Sequence, residues 1–144
     1  AHPRLHGFVW GGEDLGSDLG IRSNRDESGV YRPVFRLART MMQVAASACR
    51  TSAIDSVFTD IRDMDGLAAE CRIAKQEGFT SKAAIHPAQV PVINELIGPS
   101  AEDLDWARRV VEALSDGRGV AVMDGRMIDI AHLRLAQRWL STQT

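Results

Sequence analysis

The sequence predicts an α/β protein whose chemistry sits at the carboxyl ends of parallel strands. Three observations predict it. Short apolar runs alternate with segments whose apolar residues recur at three- and four-residue spacing. The strand–loop–helix unit recurs about three times, the rhythm of parallel sheets joined by helical crossovers. The first strand ends in a loop rich in glycine and aspartate, and α/β proteins place ligands at such strand ends. Three parallel strands do not close a barrel, so the residues alone give a piece of an α/β fold with open sheet edges.

Taken in order, Leu5–Trp10 is a short apolar strand that opens the chain with no approach segment, which predicts that the sequence starts inside a longer fold. Residues 11–24 form the Gly/Asp-rich loop. Val34 to Cys49 is a helix through Leu37, Ala38, Met41, Met42 and Ala45. Ala53 to Phe58 is the second strand. Asp63-Met64-Asp65 offers an N-cap to a helix that stops at Gly78. Ala83–Ile85 is a very short third strand, ended by His86-Pro87. Ala88 to Ile97 is a helix with Pro91 in its first turn, where proline is tolerated, and Gly98-Pro99 stops it. Ser100 and Asp103 resemble a capping box for a helix through Leu104, Ala107, Val110, Val111 and Leu114. A turn-rich stretch, 117–125, precedes a last helix over about Ile128 to Leu140. The chain thus divides into strand–helix units over 1–100 and a helical extension over 101–144.

Composition narrows the function. With 144 residues, 44% apolar and 25% charged, the chain buries a core of ordinary globular size. A net charge of -2, with basic residues scattered among acidic ones, excludes an electrostatic platform for nucleic acid. No apolar run approaches the roughly 20 residues that span a bilayer. Cys49 and Cys71 lie in helical segments without metal-ligand spacing and are expected as small buried residues in a reducing cytoplasm.

Three places carry candidate chemistry. Glu13, Asp14 and Asp18 lie among glycines that let backbone approach a ligand closely. Carboxylates there suit a hard cation such as Mg2+, which takes oxygen ligands from one or two side chains plus substrate and water. A solvated acidic turn is the alternative, and spacing does not say which carboxylate binds. His86, in the turn Ile85-His86-Pro87, is either a general base or a histidine bonded to backbone. Asp129 stands at the start of the last helix, as a helix cap or as an acid with a catalytic task.

Four blocks resemble one family. Gly11-Gly12-Glu13-Asp14-Leu15 with Asp18-Leu19-Gly20 is similar to a G-x-E-D-L-x-x-D-L-G stretch. Ile54-Asp55-Ser56-Val57 through Asp60, Asp63 and Gly66-Leu67 forms the second block. Gly78-Phe79, Lys82, Ile85-His86-Pro87, Gln89 and Ile93-Asn94 form the third, and Gly125 to Asp129 with Ala136 the fourth. Together, in this order, they resemble the citrate lyase beta-subunit family of the aldolase/citrate lyase group.

The resemblance implies the carboxy-terminal portion of a (β/α)8 TIM-type barrel, its last three strands, followed by a helical appendage. It implies a magnesium-dependent carbon–carbon lyase acting on 3-hydroxyacyl-CoA thioesters of the citryl-CoA or malyl-CoA type, through an enolate of acetyl-CoA. Asp14 takes the place of a metal ligand. Asp129 takes that of an acid/base delivered into a neighbouring subunit, which implies a homo-oligomer. His86 and Pro87 lie near the CoA moiety. An aldolase of free 2-oxo acids is disfavoured by the third and fourth blocks. The family's metal-binding glutamate and substrate-gripping arginine precede the strand that opens this sequence. The expectation is therefore a half-barrel, incomplete alone, which works within a longer chain or with a partner chain or is inactive.

Overall fold

The computed structural model describes residues 2–141, and the chain divides between Gly98 and Pro99 into two compact units. The first unit is α/β, as the alternation of strands and helices predicts. Its strands β1 (Gly7–Val9), β2 (Ser52–Asp55) and β3 (Ser81–Lys82) form one parallel sheet in the order β1-β2-β3. Phe8 pairs with Ala53, and Asp55 with Lys82. Between the strands run α1 (Gly12–Asp18), α2 (Pro33–Ala48) and α3 (Met64–Gln76), and α4 (Gln89–Ile97) follows β3.

The period of the strands decides where the core sits. On β2 Ala53 and Asp55 are buried while Ser52 and Ile54 are only partly covered, so one face of the sheet meets the helices. Phe35, Ala46, Leu67, Cys71 and Ala74 from α2 and α3 pack there with Trp10, Phe79, Ile93 and Ile97. Burying a Phe35 or Leu67 side chain fully contributes about 2 kcal/mol each. Asp63 caps α3, accepting the N–H of Gly66 at 2.8 Å, as its position predicts. Cys71 is fully buried and Cys49 half-buried, both as free thiols. Burial pushes the Cys71 thiol up, so it stays protonated and inert at neutral pH.

The second unit joins α5 (Ala101–Ala113), the antiparallel hairpin β4 (Val120–Met123) and β5 (Arg126–Asp129), and α6 (Ile130–Ser141). Ala107, Val110, Leu114, Ile128 and Ala136 make its core, with Trp106 and Trp139 packed at 5.4 Å between ring centres. The Ser100–Asp103 capping box starts α5, with both reciprocal bonds formed.

Four expectations are corrected. The glycine-rich loop over 11–24 holds a helix, α1. Its glycines answer crowding: a Cβ on Gly12 would lie 3.0 Å from the Trp10 ring, and one on Gly16 3.1 Å from the Ile21 carbonyl. Packing there overrides low helix propensity. The second strand ends at Asp55 rather than Phe58, because the Phe58 carbonyl is taken by the Gln89 side chain. The third strand is Ser81–Lys82 rather than Ala83–Ile85. The Asp55–Lys82 ion pair fixes that register, and the Ile85 N–H is captured by Gln89 instead of a ladder. The turn-rich stretch over 117–125 is part of a hairpin, so the last helix begins at Ile130 rather than Ile128. Asp124 (φ 51°) and Gly125 (φ 74°) supply the two left-handed residues of its tight turn.

Candidate active site

Three loops leave the carboxyl edge of the parallel sheet, and each holds residues the sequence singles out. After β1, Gly11 leads into α1, whose first turn carries Glu13 and Asp14. A Cβ on Gly11 would sit 2.7 Å from Asp14 Oδ2, so glycine leaves room for that carboxylate to fold back over the backbone. The Gly12 N–H donates to Ser56 Oγ at 3.2 Å, which ties this turn to the end of β2. Asp14 is exposed and makes no hydrogen bond or ion pair among the described residues. Glu13 is engaged, accepting the Asn24 side-chain N–H at 2.7 Å. Asp18 closes the helix, exposed.

Glu13 also opens onto a cleft of 340 Å³. One wall is the strap that follows α1, with Arg22, Asn24, Arg25 and Tyr31, and the other is the loop after β2, Val57 to Asp60. The strap is built. Asp26 Oδ1 accepts from the N–H groups of Ser28 and Val30 and from the Ser28 hydroxyl, which together hold its carboxyl below the usual range. Arg25 stacks on Tyr31 at 3.7 Å and donates to Glu70 at 2.5 Å.

After β3 the turn of His86 and Pro87 enters α4. Both residues are exposed. His86 Nδ1 accepts the Ala88 N–H at 3.1 Å, the backbone-bonded alternative the sequence allows. What fixes the turn is the wholly buried Gln89: its Oε1 accepts the Ile85 N–H at 3.0 Å and its Nε2 donates to the Phe58 carbonyl at 2.9 Å. Asp14 and the His86-Pro87 turn thus belong to loops on one sheet edge. Asp129 belongs to the second unit. It ends β5 and caps α6, accepting the Ala131 N–H at 2.9 Å and standing 2.8 Å from His132 Nδ1.

Beneath the site lies a buried ion network that sequence reasoning missed. Asp55, wholly buried, accepts from Trp10 Nε1 (2.8 Å), Arg39 Nε (3.0 Å) and Lys82 Nζ (3.0 Å). Lys82 also reaches Glu70 at 2.8 Å, which Tyr31 and Arg25 share, and Arg39 continues to Glu77. Every charge is paired, which is what makes such burial tolerable. The network joins β2, β3, α2 and α3 to the strap.

No three His, Cys, Asp or Glu side chains converge to hold a metal among the described residues. An exposed carboxylate such as Asp14 is an oxygen donor of the kind magnesium takes alongside water.

The family model of the carbon–carbon bond lyases of the TIM-barrel fold, C-C_Bond_Lyase, matches residues 6–142. The chain belongs to this family. It is 42% identical over 134 residues, 93% of its length, to a citrate lyase subunit beta-like protein of Mycobacterium tuberculosis, and covers 49% of that protein. It is 35% identical to a (3S)-malyl-CoA thioesterase of Cereibacter sphaeroides, over 98% of this chain and 49% of that one. Among solved structures it resembles the protein CitE of Mycobacterium tuberculosis in complex with magnesium, acetoacetate and coenzyme A. The TM-score is 0.77 at 42% identity, with 92% of this chain and 50% of that one covered. The chain spans about half the length of the curated relatives it matches. Family membership agrees with the resemblance carried by the four sequence blocks. No helix among the described residues is long and apolar enough to cross a membrane.

Proposed function

We propose that this chain supplies the last three strands of a (β/α)8 barrel over residues 1–100, with an appendage beyond it in which the β4–β5 hairpin lies between α5 and α6. In this reading it carries half of the active site of a magnesium-dependent lyase that releases or condenses acetyl-CoA from citryl-CoA- or malyl-CoA-type thioesters. The observation that carries the reading is Asp14. It is an exposed carboxylate on a built turn at the carboxyl edge of a parallel sheet, and no partner among the described residues uses it. An acceptor-only oxygen donor fits Mg2+, and the glycine before α1 gives its carboxylate room. When bound, the cation supplies positive charge against the oxygen that becomes anionic as the carbon–carbon bond breaks.

The other residues position and move protons. Asn24 holds Glu13 to the strap, so the two adjacent carboxylates do not compete for one ligand. Gln89 pins the His86-Pro87 turn, which forms part of the wall for the CoA moiety. Asp129 takes a proton from the acetyl-CoA methyl carbon during condensation and returns one to it during cleavage. The hydrogen bond to His132 first, and the Ala131 N–H next, hold its carboxyl below the usual range, so it rests ionised at neutral pH and ready to accept. Asp129 serves the site of a neighbouring copy, and the working form is a cytoplasmic homo-oligomer. One relative is named as a malyl-CoA thioesterase, so hydrolysis to free CoA is a variant of the same chemistry.

The test uses the chain extended upstream to the length of its relatives. Asp14→Ala is expected to abolish magnesium-dependent acetyl-CoA release while the melting temperature holds, since the side chain is exposed and has no partner among the described residues. Unchanged turnover at saturating magnesium overturns the ligand assignment. A second reading, a half-barrel that acts only with a partner chain, is favoured by β1 and β3 being sheet edges and by Val9 being 57% exposed. It expects activity on mixing with a chain that carries the upstream half.

A further inference from the structure

The sequence marks Asp129 but gives no role to the residue three places on, His132. Asp129 Oδ1 accepts the His132 N–H at 3.4 Å, as a helix N-cap does. His132 Nδ1 stands 3.2 Å from the Asp129 backbone nitrogen and 2.8 Å from Asp129 Oδ1, and it serves only one of them: bare, it accepts the N–H, and protonated, it donates to Oδ1. The shorter contact is the one to Oδ1. Two lone pairs at that separation repel. The contact is favourable only with a proton between them, on the imidazolium or on the Nδ1–H tautomer.

The consequence is an asymmetric carboxylate. All three bonds Asp129 accepts fall on Oδ1, and Oδ2 has no partner among the described residues. Both side chains are about 40% exposed, at 41% and 39%, so Oδ2 is open to a reactant. Around the pair stand Val120, opposite Asp129 in the hairpin, and Trp106 of α5, its ring 6.4 Å from that of His132. Asp129 makes no other ion pair among the described residues.

We propose that His132 is a positioning residue for Asp129: its Nδ1 proton fixes Oδ1 and leaves Oδ2 as the one oxygen that exchanges a proton with substrate. In condensation the C–H proton passes to Oδ2 while the bonding pair stays on carbon, and Oδ1 keeps its bond to His132 throughout. This rests on the reading of Asp129 as the proton-transfer group.

The test is His132→Leu in the chain extended to full relative length, with Asp129→Asn beside it. Leucine fills much of the imidazole's space beside Trp106 and has no proton to give Oδ1. The expected result is a melting temperature like that of the unaltered protein and an unchanged KM. Loss in kcat is expected to be about tenfold or more, toward the range of acid–base contributions. By carbon-13 NMR of the carboxylate, Asp129 is expected to titrate at higher pH than in the unaltered protein. Unaltered kcat with an unmoved Asp129 titration, while Asp129→Asn is inactive, reduces His132 to a helix cap and overturns the inference alone. Full activity of Asp129→Asn removes the underlying reading, and the positioning role with it.

Discussion

At the scale of single residues, Asp55 does most to hold the first unit together. It is wholly buried and its two oxygens accept from three donors on three different segments, so removing it takes the acceptor from Trp10 and leaves the buried Lys82 and Arg39 with one counter-charge each, Glu70 and Glu77. Asp55→Ala is expected to destabilise the unit by about 3–5 kcal/mol, the cost of breaking a buried pair, measured by urea unfolding. A loss below about 1 kcal/mol, the value of a surface pair, would contradict the burial. The same residue sets an acid limit. Burial pushes the Asp55 carboxyl up, but Lys82, Arg39 and Trp10 pull harder and the net shift is downward. Its folded pKa then lies below the unfolded value of about 3.9, so its contribution is fully present above that value and lost as pH falls through the folded pKa. The melting temperature is expected to be level from pH 7 to about pH 5 and to fall steeply below about pH 4. Replacing Asp55 should flatten that acid limb. Asp55 and Lys82 both stand in the sequence blocks that carry the resemblance, yet neither declares itself buried. A lone carboxylate in an apolar strand looks like an exit from the core until its partner from the next strand is known.

Helices with chemical start signals were legible in the sequence, and strand ends were not. Asp63 and the Ser100–Asp103 box predict the starts of α3 and α5 because a cap is a local bond over three residues. Ser100→Ala is expected to cost the second unit about 1 kcal/mol, read from its unfolding midpoint. Strand limits depend on distant groups. β2 stops at Asp55, and beyond it the Phe58 carbonyl is taken by Gln89, 31 residues on from Phe58, which no local pattern records. Gln89→Leu is expected to leave two part-buried backbone groups without their partner, at a cost of about 1 kcal/mol each. Fast amide exchange at Ile85, the N–H that Gln89 accepts, would show it directly, and protection equal to that of the unaltered protein would contradict it. The hairpin of β4 and β5 was legible in principle. Asp124-Gly125 between Met123 and Arg126 is a strong turn signal, and Gly117 and Gly119 before it mask the strands. α1 was not, because its glycines read as breakers while their purpose is close packing against Trp10 and Phe35.

For the whole molecule, the sequence discloses the family but not the complete site. Four motif blocks in one order suffice for the first. Among the described residues no set of three His, Cys, Asp or Glu ligands forms, and the chain spans about half the length of the curated relatives it matches. The proposed function rests on Asp14 as a metal ligand and Asp129 as a proton-transfer group. The most direct test is an assay of the chain extended upstream to the length of its relatives, with malyl-CoA and citryl-CoA as substrates, following acetyl-CoA and free CoA with and without magnesium. The account predicts acetyl-CoA release that chelation abolishes, added magnesium restores, and Asp14→Ala removes. Turnover that persists under chelation, or none with either thioester in a folded protein that binds magnesium, would contradict it.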